Sequence, residues 1–303
     1  QFPGIFPAAD SVNRVIMVKQ RWLGDGQLAL MVDAVPELQT DGGAQCFPLY
    51  LYNMAQPEGE EDEGTEKPRP TTGVQTTMFA RDSSPAPYNA LAAKTPTRRD
   101  GLTDAGLAHF QAAYPNEKIT KEDLFYYVYA VLHAPDYRER YADNLGKELP
   151  RIPCAPTAAD FWAFSRAGRV LGELHVGYEK VPEYAARVEG PPKPTAAQLR
   201  VEGMKFGKGK DKTVIHYNAF FTVRDIPLAA YDYVVNGKSA IEWVMERQAV
   251  STDKASGIVK DANAWATETV GDPRYPLSLL LRVITVSLET MKIVRSLPKL
   301  FVA

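Results

Sequence analysis

Thr120-Lys-Glu-Asp-Leu-Phe-Tyr-Tyr-Val-Tyr-Ala-Val-Leu132 decides how the centre of this chain folds. Thr120 with Asp123 three residues on has the form of a capping box, in which a hydroxyl and a carboxylate satisfy the first free N–H groups of a helix. Leu124 to Leu132, which follows, is aromatic-rich and patterned for packing. Further helices are expected on either side. Thr103 can cap one from Asp104 to Tyr114, and Pro135 suits the first turn of another that reaches about Leu149 and ends at Pro150. A third runs from Ala158 to Tyr178, with Phe161, Phe164, Leu171 and Leu174 near one face.

Outward from this helical middle the pattern changes. From Arg14 to Tyr52 strands are expected, because Val15-Ile-Met-Val18 and Leu28-Ala-Leu-Met-Val32 are short apolar runs separated by the turn signal Gly24-Asp25-Gly26. Pro57 to Asp100, dense in Pro, Ser, Thr and charge, reads as long loops with at most a short strand at Thr76 to Ala80. Between Ala185 and Val223 the chain turns extended, and Met204-Lys-Phe206 and Thr213-Val-Ile-His-Tyr-Asn218 flank Gly207-Lys-Gly-Lys-Asp-Lys212 as a hairpin with a basic tip. Ser239 to Val250, Ala262 to Val270 and Pro276 to Leu297 read as helices, the last apolar on most sides and therefore central.

The fold class is thus α+β: a β-rich N-terminal part, a helical middle, a basic β-hairpin segment and C-terminal helices. The segments 1–100 (with an acidic disordered loop at 57–70), 101–180 and 181–303 are expected to form one composite domain. Any division is expected near Val181 to Lys193, where Pro182, Pro191, Pro192 and Pro194 interrupt the helical middle.

At 303 residues, 45% hydrophobic and 24% charged, the chain is ordinary globular material. Cys46 and Cys154 match no metal-ligand spacing and suggest no disulfide framework, which fits a reducing cytoplasm. The apolar stretch Pro276 to Val294 is interrupted by Arg282, Glu289 and Lys292, so it reads as a core helix and no membrane partner is expected. The start at Gln1, without a signal-peptide pattern, reads as the edge of an excised piece. Net charge is −2, but Glu58 to Glu66 carries six acids and no base, so the remainder stands at +4.

Motifs for catalysis fail one by one. Gly237-Lys238-Ser239 resembles the end of a phosphate loop, yet the position that needs the first glycine is Asp232, and Ser239 is better placed to cap a helix. Pro191-Pro192 has the wrong flanks for an adenine-holding methyltransferase motif. Pro135-Asp136 has no Glu-x-Lys at nuclease distance. His109, His133, His175 and His216 offer no metal-ligand pair. Gly207-Lys208-Gly209 lacks the third glycine of a dinucleotide fingerprint. No catalytic or metal-binding residue is expected.

Charge distribution points elsewhere. Lys193, Arg200, Lys205, Lys208, Lys210 and Lys212 face only Glu202 and Asp211 in the same stretch, and lysines on a flexible hairpin can follow a phosphate backbone. Tyr217 and Asn218 beside them are placed to reach base edges. Lys94, Arg98 and Arg99 form a second cluster before the middle helices, and arginine forks suit guanine edges and phosphates. Arg138, Arg140, Arg166 and Arg169 read as solvated helix faces.

Several long stretches resemble the C-terminal specificity region of type ISP restriction-modification enzymes, a helicase-like family. They include Phe6-Pro-Ala-Ala-Asp-Ser-Val-Asn-Arg-Val15, Gln45-Cys-Phe-Pro-Leu-Tyr50, Ile119 to His133, Pro135-Asp-Tyr-Arg-Glu-Arg-Tyr141, Leu149-Pro-Arg-Ile-Pro153, Leu174-His-Val-Gly-Tyr-Glu179, Tyr233 to Arg247 and Val283 to Val294. The resemblance implies a target-recognition module. It would bind double-stranded DNA beside the methyltransferase and translocase domains of the same polypeptide, and place a target adenine for N6 methylation. It also implies that S-adenosylmethionine, ATP and Mg²⁺ belong to other parts of the parent enzyme, with no cofactor in this segment. The alternative is a structural coupling domain with little direct DNA contact; an independent methyltransferase or nuclease would need a motif that is absent.

Overall fold

The computed structural model describes residues 4–8, 10–19, 21–22, 24, 26–35, 44–53 and 96–301. The acidic segment Glu58 to Glu66, the loop expected at 57–70, the strand expected at Thr76 to Ala80 and the side chain of Lys94 lie outside these residues. Two compact units are formed. Residues 1–21, 29–169 and 298–303 make the first, and residues 22–28 and 170–297 make the second.

In the first unit, β1 (Val15–Val18) is the middle of a three-stranded antiparallel sheet, between β2 (Ala29–Val32) and β3 (Gln45–Pro48). Ile16 lies opposite Met31 on one side and Phe47 on the other. All four residues of β1 are buried, which is why Val-Ile-Met-Val reads as a continuous apolar run rather than an alternating one. Asn13, just before it, ties the N-terminal arm to the backbone at Tyr50. Its Nδ2 donates to the carbonyls of Ile5 (3.0 Å) and Tyr50 (2.8 Å), and its Oδ1 accepts from Arg14 N and Tyr50 N. A separate ladder pairs β4 (Tyr50–Asn53) with β5 (Thr97–Asp100).

The helices begin with α1 (Asp104–Ala113), capped by Thr103, and α2 (Lys121–His133), whose Thr120/Asp123 capping box is formed in both directions at 3.1 Å. Every residue of α2 from Leu124 to His133 is buried. The expected helix from Pro135 to Leu149 is instead two short pieces, α3 (Pro135–Arg140) and α4 (Ala142–Leu145), because Tyr141 leaves helical geometry at φ −107°, ψ 16°. The Arg151-Ile-Pro-Cys-Ala155 segment that follows has no strand partner among the described residues, and buried tyrosine hydroxyls take up its carbonyls. Tyr137 donates to Arg151 O, Tyr127 to Pro153 O and Tyr114 to Ala155 O, at 2.9, 2.7 and 2.7 Å. Each phenol thus keeps a partner while its ring enters the core. Tyr127 also stacks on Phe161 with ring centres 4.8 Å apart. Phe161 belongs to α5 (Ala158–Val176), the helix along which the chain passes from the first unit into the second. That passage lies earlier than the expected division in the proline-rich stretch 181–193, and it falls inside a helix that carries no composition signal.

The second unit is built on a four-stranded antiparallel sheet ordered β6-β9-β8-β7. Its members are β6 (Arg187–Glu189), then, after the one-turn α6 (Ala196–Leu199), β7 (Lys205–Gly207), β8 (Asp211–His216) and β9 (Thr222–Arg224). The hairpin expected from the sequence is therefore half of a larger sheet. Val201, Ile215, Tyr217 and Val223 of this region pack with Ile241, Leu277, Leu280 and Ile284 in one core. The strands β10 (Val234–Val235) and β11 (Lys238–Ser239) turn through Asn236 and Gly237, both with positive φ (49° and 73°). An Asn-Gly turn of this kind is the favoured short hairpin connection, so Gly237-Lys238-Ser239 is a turn and a cap rather than a phosphate loop. Ser239 caps α7 (Ala240–Arg247), with Glu242 completing the box. After the ribbon of β12 (Ser251–Thr252) and β13 (Val259–Lys260) come α8 (Ala262–Trp265), which widens into a π-type turn over 266–270, and α9 (Tyr275–Ser296). Most of the apolar side chains of α9 are buried, as expected of a central helix.

Candidate nucleic-acid interface

The β7–β8 hairpin of the second unit carries the basic stretch singled out in the sequence. Its turn, Lys208-Gly209-Lys210, places two successive residues at positive φ, Gly209 at 70° and Lys210 at 65°. Glycine adopts this at no steric cost and lysine does not, so the tip is a constrained shape. Both lysines are exposed, as are Lys205 at the other end of β7 and Lys193 before α6. None of these four forms an ion pair with a described residue.

The remaining two bases of the stretch are held by acids. Arg200 is shared between Glu202 (2.6 Å) and Asp261 (2.8 Å). Lys212 reaches Glu242 Oε1 at 3.0 Å, and its ammonium lies 5.5 Å from the Phe206 ring centre and 5.0 Å from that of Tyr231. Burial pushes the Glu242 carboxyl up, yet the hydrogen bonds from Ser239 and Lys212 outweigh it and hold the group below the usual carboxylate range. Lys212 thus anchors the hairpin to α7. The same economy applies on the sheet, where Arg224 pairs with Glu189 and Arg187 lies near Glu189 and Asp225.

Tyr217 and Asn218, the expected base readers, are engaged inside the unit. Tyr217 is fully buried and donates from Oη to Leu199 O at 2.8 Å. Asn218 Nδ2 donates to Gln198 O and Arg200 O, while Oδ1 accepts from Phe220 N and Phe221 N, all at 2.8 Å. With both ends of the amide committed, Asn218 shapes the β8–β9 turn and has nothing left for a base edge.

A residue that sequence reasoning misses is Phe220, which that turn presents with 51% of its surface exposed. It borders a concavity of about 480 Å³ together with Lys205, His216, Arg200 and Glu202. One signal is present in the sequence, since Asn218-Ala-Phe-Phe221 places two phenylalanines side by side at a turn, and only one of them can enter the core. In the first unit, Arg98 and Arg99 lie exposed on β5. The Arg98 guanidinium stacks 4.2 Å above Tyr50 and Arg99 Nε donates to Asn53 Oδ1 at 3.3 Å. Stacking fixes the plane of Arg98 and leaves its N–H edge open to an acceptor. Arg169, by contrast, is held by Glu122 and Asp123 and lies over Tyr126, and Arg140 lies over Phe301.

Among the described residues no group of three or more His, Cys, Asp or Glu side chains is placed to hold a metal ion. No helix among them is long and apolar enough to cross a membrane.

Fold and site together define a mixed α+β module in which one hairpin and the loop leading to it carry four exposed lysines with no ion pair among the described residues. Residues 1–279 match the model of the Type ISP C-terminal specificity domain, and the chain belongs to that family. No curated protein matches it. Solved structures do. The ATP-dependent Type ISP restriction-modification enzyme LlaBIII bound to DNA is 30% identical over all of this chain, with a TM-score of 0.75. A nuclease-deletion mutant of the Type ISP enzyme LlaGI in complex with a DNA substrate mimic is 30% identical over 98% of it, with a TM-score of 0.69. The DrdV–DNA complex is 29% identical over all of it, with a TM-score of 0.72. This chain spans only 17%, 18% and 26% of those three chains.

Proposed function

We propose that this chain is the DNA-target-recognition module of a larger single-polypeptide restriction-modification enzyme and carries no catalytic step itself. The observation that supports this most is the separation of the cations into two groups. Arg187, Arg200, Lys212 and Arg224 are neutralised by carboxylates, whereas Lys193, Lys205, Lys208 and Lys210 are exposed without an ion pair among the described residues. Unpaired lysines on a constrained hairpin are what phosphate contacts need, because each releases a condensed counterion without first breaking a bond inside the protein. Arg98 and Arg99 supply a second contact from the first unit. That the three similar structures are DNA complexes agrees with this reading.

The nuclease, the ATP-driven translocase and the adenine-N6 methyltransferase, with their Mg²⁺, ATP and S-adenosylmethionine, then belong to other domains of the cytoplasmic parent polypeptide. In that setting this module fixes the duplex and positions the target adenine for the methyltransferase. The competing reading, a coupling domain facing other domains, draws support from Ile258, Val259, Trp265 and Val270, which are 62%, 58%, 56% and 42% exposed. A single experiment separates them. Selection of this chain against a randomised duplex pool, with sequencing of the bound fraction, recovers a consensus if the module reads DNA. The absence of enrichment over the input pool, both alone and with the methyltransferase domain attached, would leave the coupling role.

A further inference from the structure

We propose that the corner between β8 and β9 is a base-step contact, in which Phe220 enters the duplex as an apolar wedge while Lys205 holds the phosphate beside the same step. This rests on the DNA-recognition reading and deepens it by naming the residue that touches the bases. The Phe220 ring is half exposed and makes no ring contact with any described residue, whereas its neighbour Phe221 lies in the core and meets Tyr217 edge-on. Isolated exposed apolar side chains are common, so exposure alone carries little. Here it is combined with rigidity, since the Asn218 amide oxygen fixes Phe220 N and Phe221 N and its amide nitrogen fixes the chain at Gln198 and Arg200. The tip is therefore preorganised, and a ligand that buries the ring does not have to order the turn.

The surroundings specify the ligand. Lys205 is exposed with no carboxylate at ion-pair distance among the described residues, and lies across the ladder from His216. Both border the concavity that Phe220 overhangs. A flat apolar surface next to a free cation matches a nucleobase next to its phosphate, and apolar side chains inserted between base steps kink a duplex toward a wider protein contact. The Lys208-Gly209-Lys210 tip lies at the opposite end of β8. Six residues of strand separate the two ends by about 17 Å, or about five base pairs of B-form duplex. Phosphate contacts at the tip and a wedge at the corner therefore fall about half a helical turn apart on one DNA.

The test uses this chain, the duplex recovered by selection, and 2-aminopurine substituted in turn along it. Wild type is expected to raise the fluorescence at one step. Phe220→Ala abolishes that rise, weakens binding about tenfold and removes the sequence preference at that step alone. Lys205→Ala weakens binding for all sequences alike. Because Phe220 is exposed, an unchanged thermal midpoint for Phe220→Ala verifies the fold. A fluorescence rise that survives in Phe220→Ala, or a consensus identical to wild type, overturns the wedge and leaves DNA recognition standing. Failure to recover any consensus, both with the wild-type chain alone and with the methyltransferase domain attached, overturns the recognition reading itself.

Discussion

Asn218 holds the β8–β9 turn through four hydrogen bonds to main-chain atoms. Asn218→Ala removes them all and is expected to cost about 1–3 kcal/mol, read from urea unfolding. A loss too small to measure would show that the turn is held by its neighbours instead. His133 gives a prediction in pH. Burial is the main cause that lowers its ring to about 4 from 6.5, against a raising contribution from its 2.8 Å hydrogen bond to Tyr129 O. The unfolded chain therefore binds the proton first as pH falls. This contribution is complete above about 6.5 and is lost as pH drops toward about 4, on the order of 3 kcal/mol in all. Unfolding free energies across that range should slope accordingly, and His133→Gln should flatten the slope. At this scale the sequence is least legible. Lysines of one stretch look alike on paper, and only the position of Glu242 shows that Lys212 is an anchor, while Lys208 and Lys210 have no ion pair among the described residues. The roles of Tyr217 and Asn218 escape a sequence reading for the same reason, since their partners Leu199, Gln198 and Arg200 are remote in sequence.

At the scale of elements, local signals carry further. The Thr120/Asp123 box, the Thr103 cap and the Ser239 cap all lie where hydroxyl and carboxylate spacing put them, because a cap is a contact within one turn of chain. The break at Tyr141 and the widening after Trp265 have no such local signature. Gly168 is a hidden case. A Cβ built there would stand 1.8 Å from Tyr126 O, so the absence of a side chain is what lets α5 lie against α2. Gly168→Ala, normally favourable within a helix, is expected to destabilise by about 2 kcal/mol or more, and a raised thermal midpoint would refute the close approach. On the hairpin, Lys208→Ala with Lys210→Ala should weaken binding to all duplexes alike and leave the consensus intact, because phosphate contacts position without specifying.

The whole molecule carries a net charge of −2, which on its face disfavours a polyanion as partner. The sum misleads because most arginines of the second unit are matched by carboxylates, while four lysines between Lys193 and Lys210 have no ion pair among the described residues. The α+β class is legible from short apolar runs, turn signals and helix caps. The two-unit division is not, because the first unit draws residues from both ends of the chain and the second includes the short stretch 22–28. Whether those four lysines meet DNA phosphates is tested most directly by the dependence of binding on salt, for the wild-type chain and for Lys193→Ala, Lys205→Ala, Lys208→Ala and Lys210→Ala combined, on one selected duplex. The plot of log affinity against log salt should be shallower for the variant by roughly three to four, near 0.9 for each phosphate that the variant no longer neutralises. Equal slopes for the two proteins would contradict the phosphate-binding role of these lysines and place the DNA backbone elsewhere on the molecule.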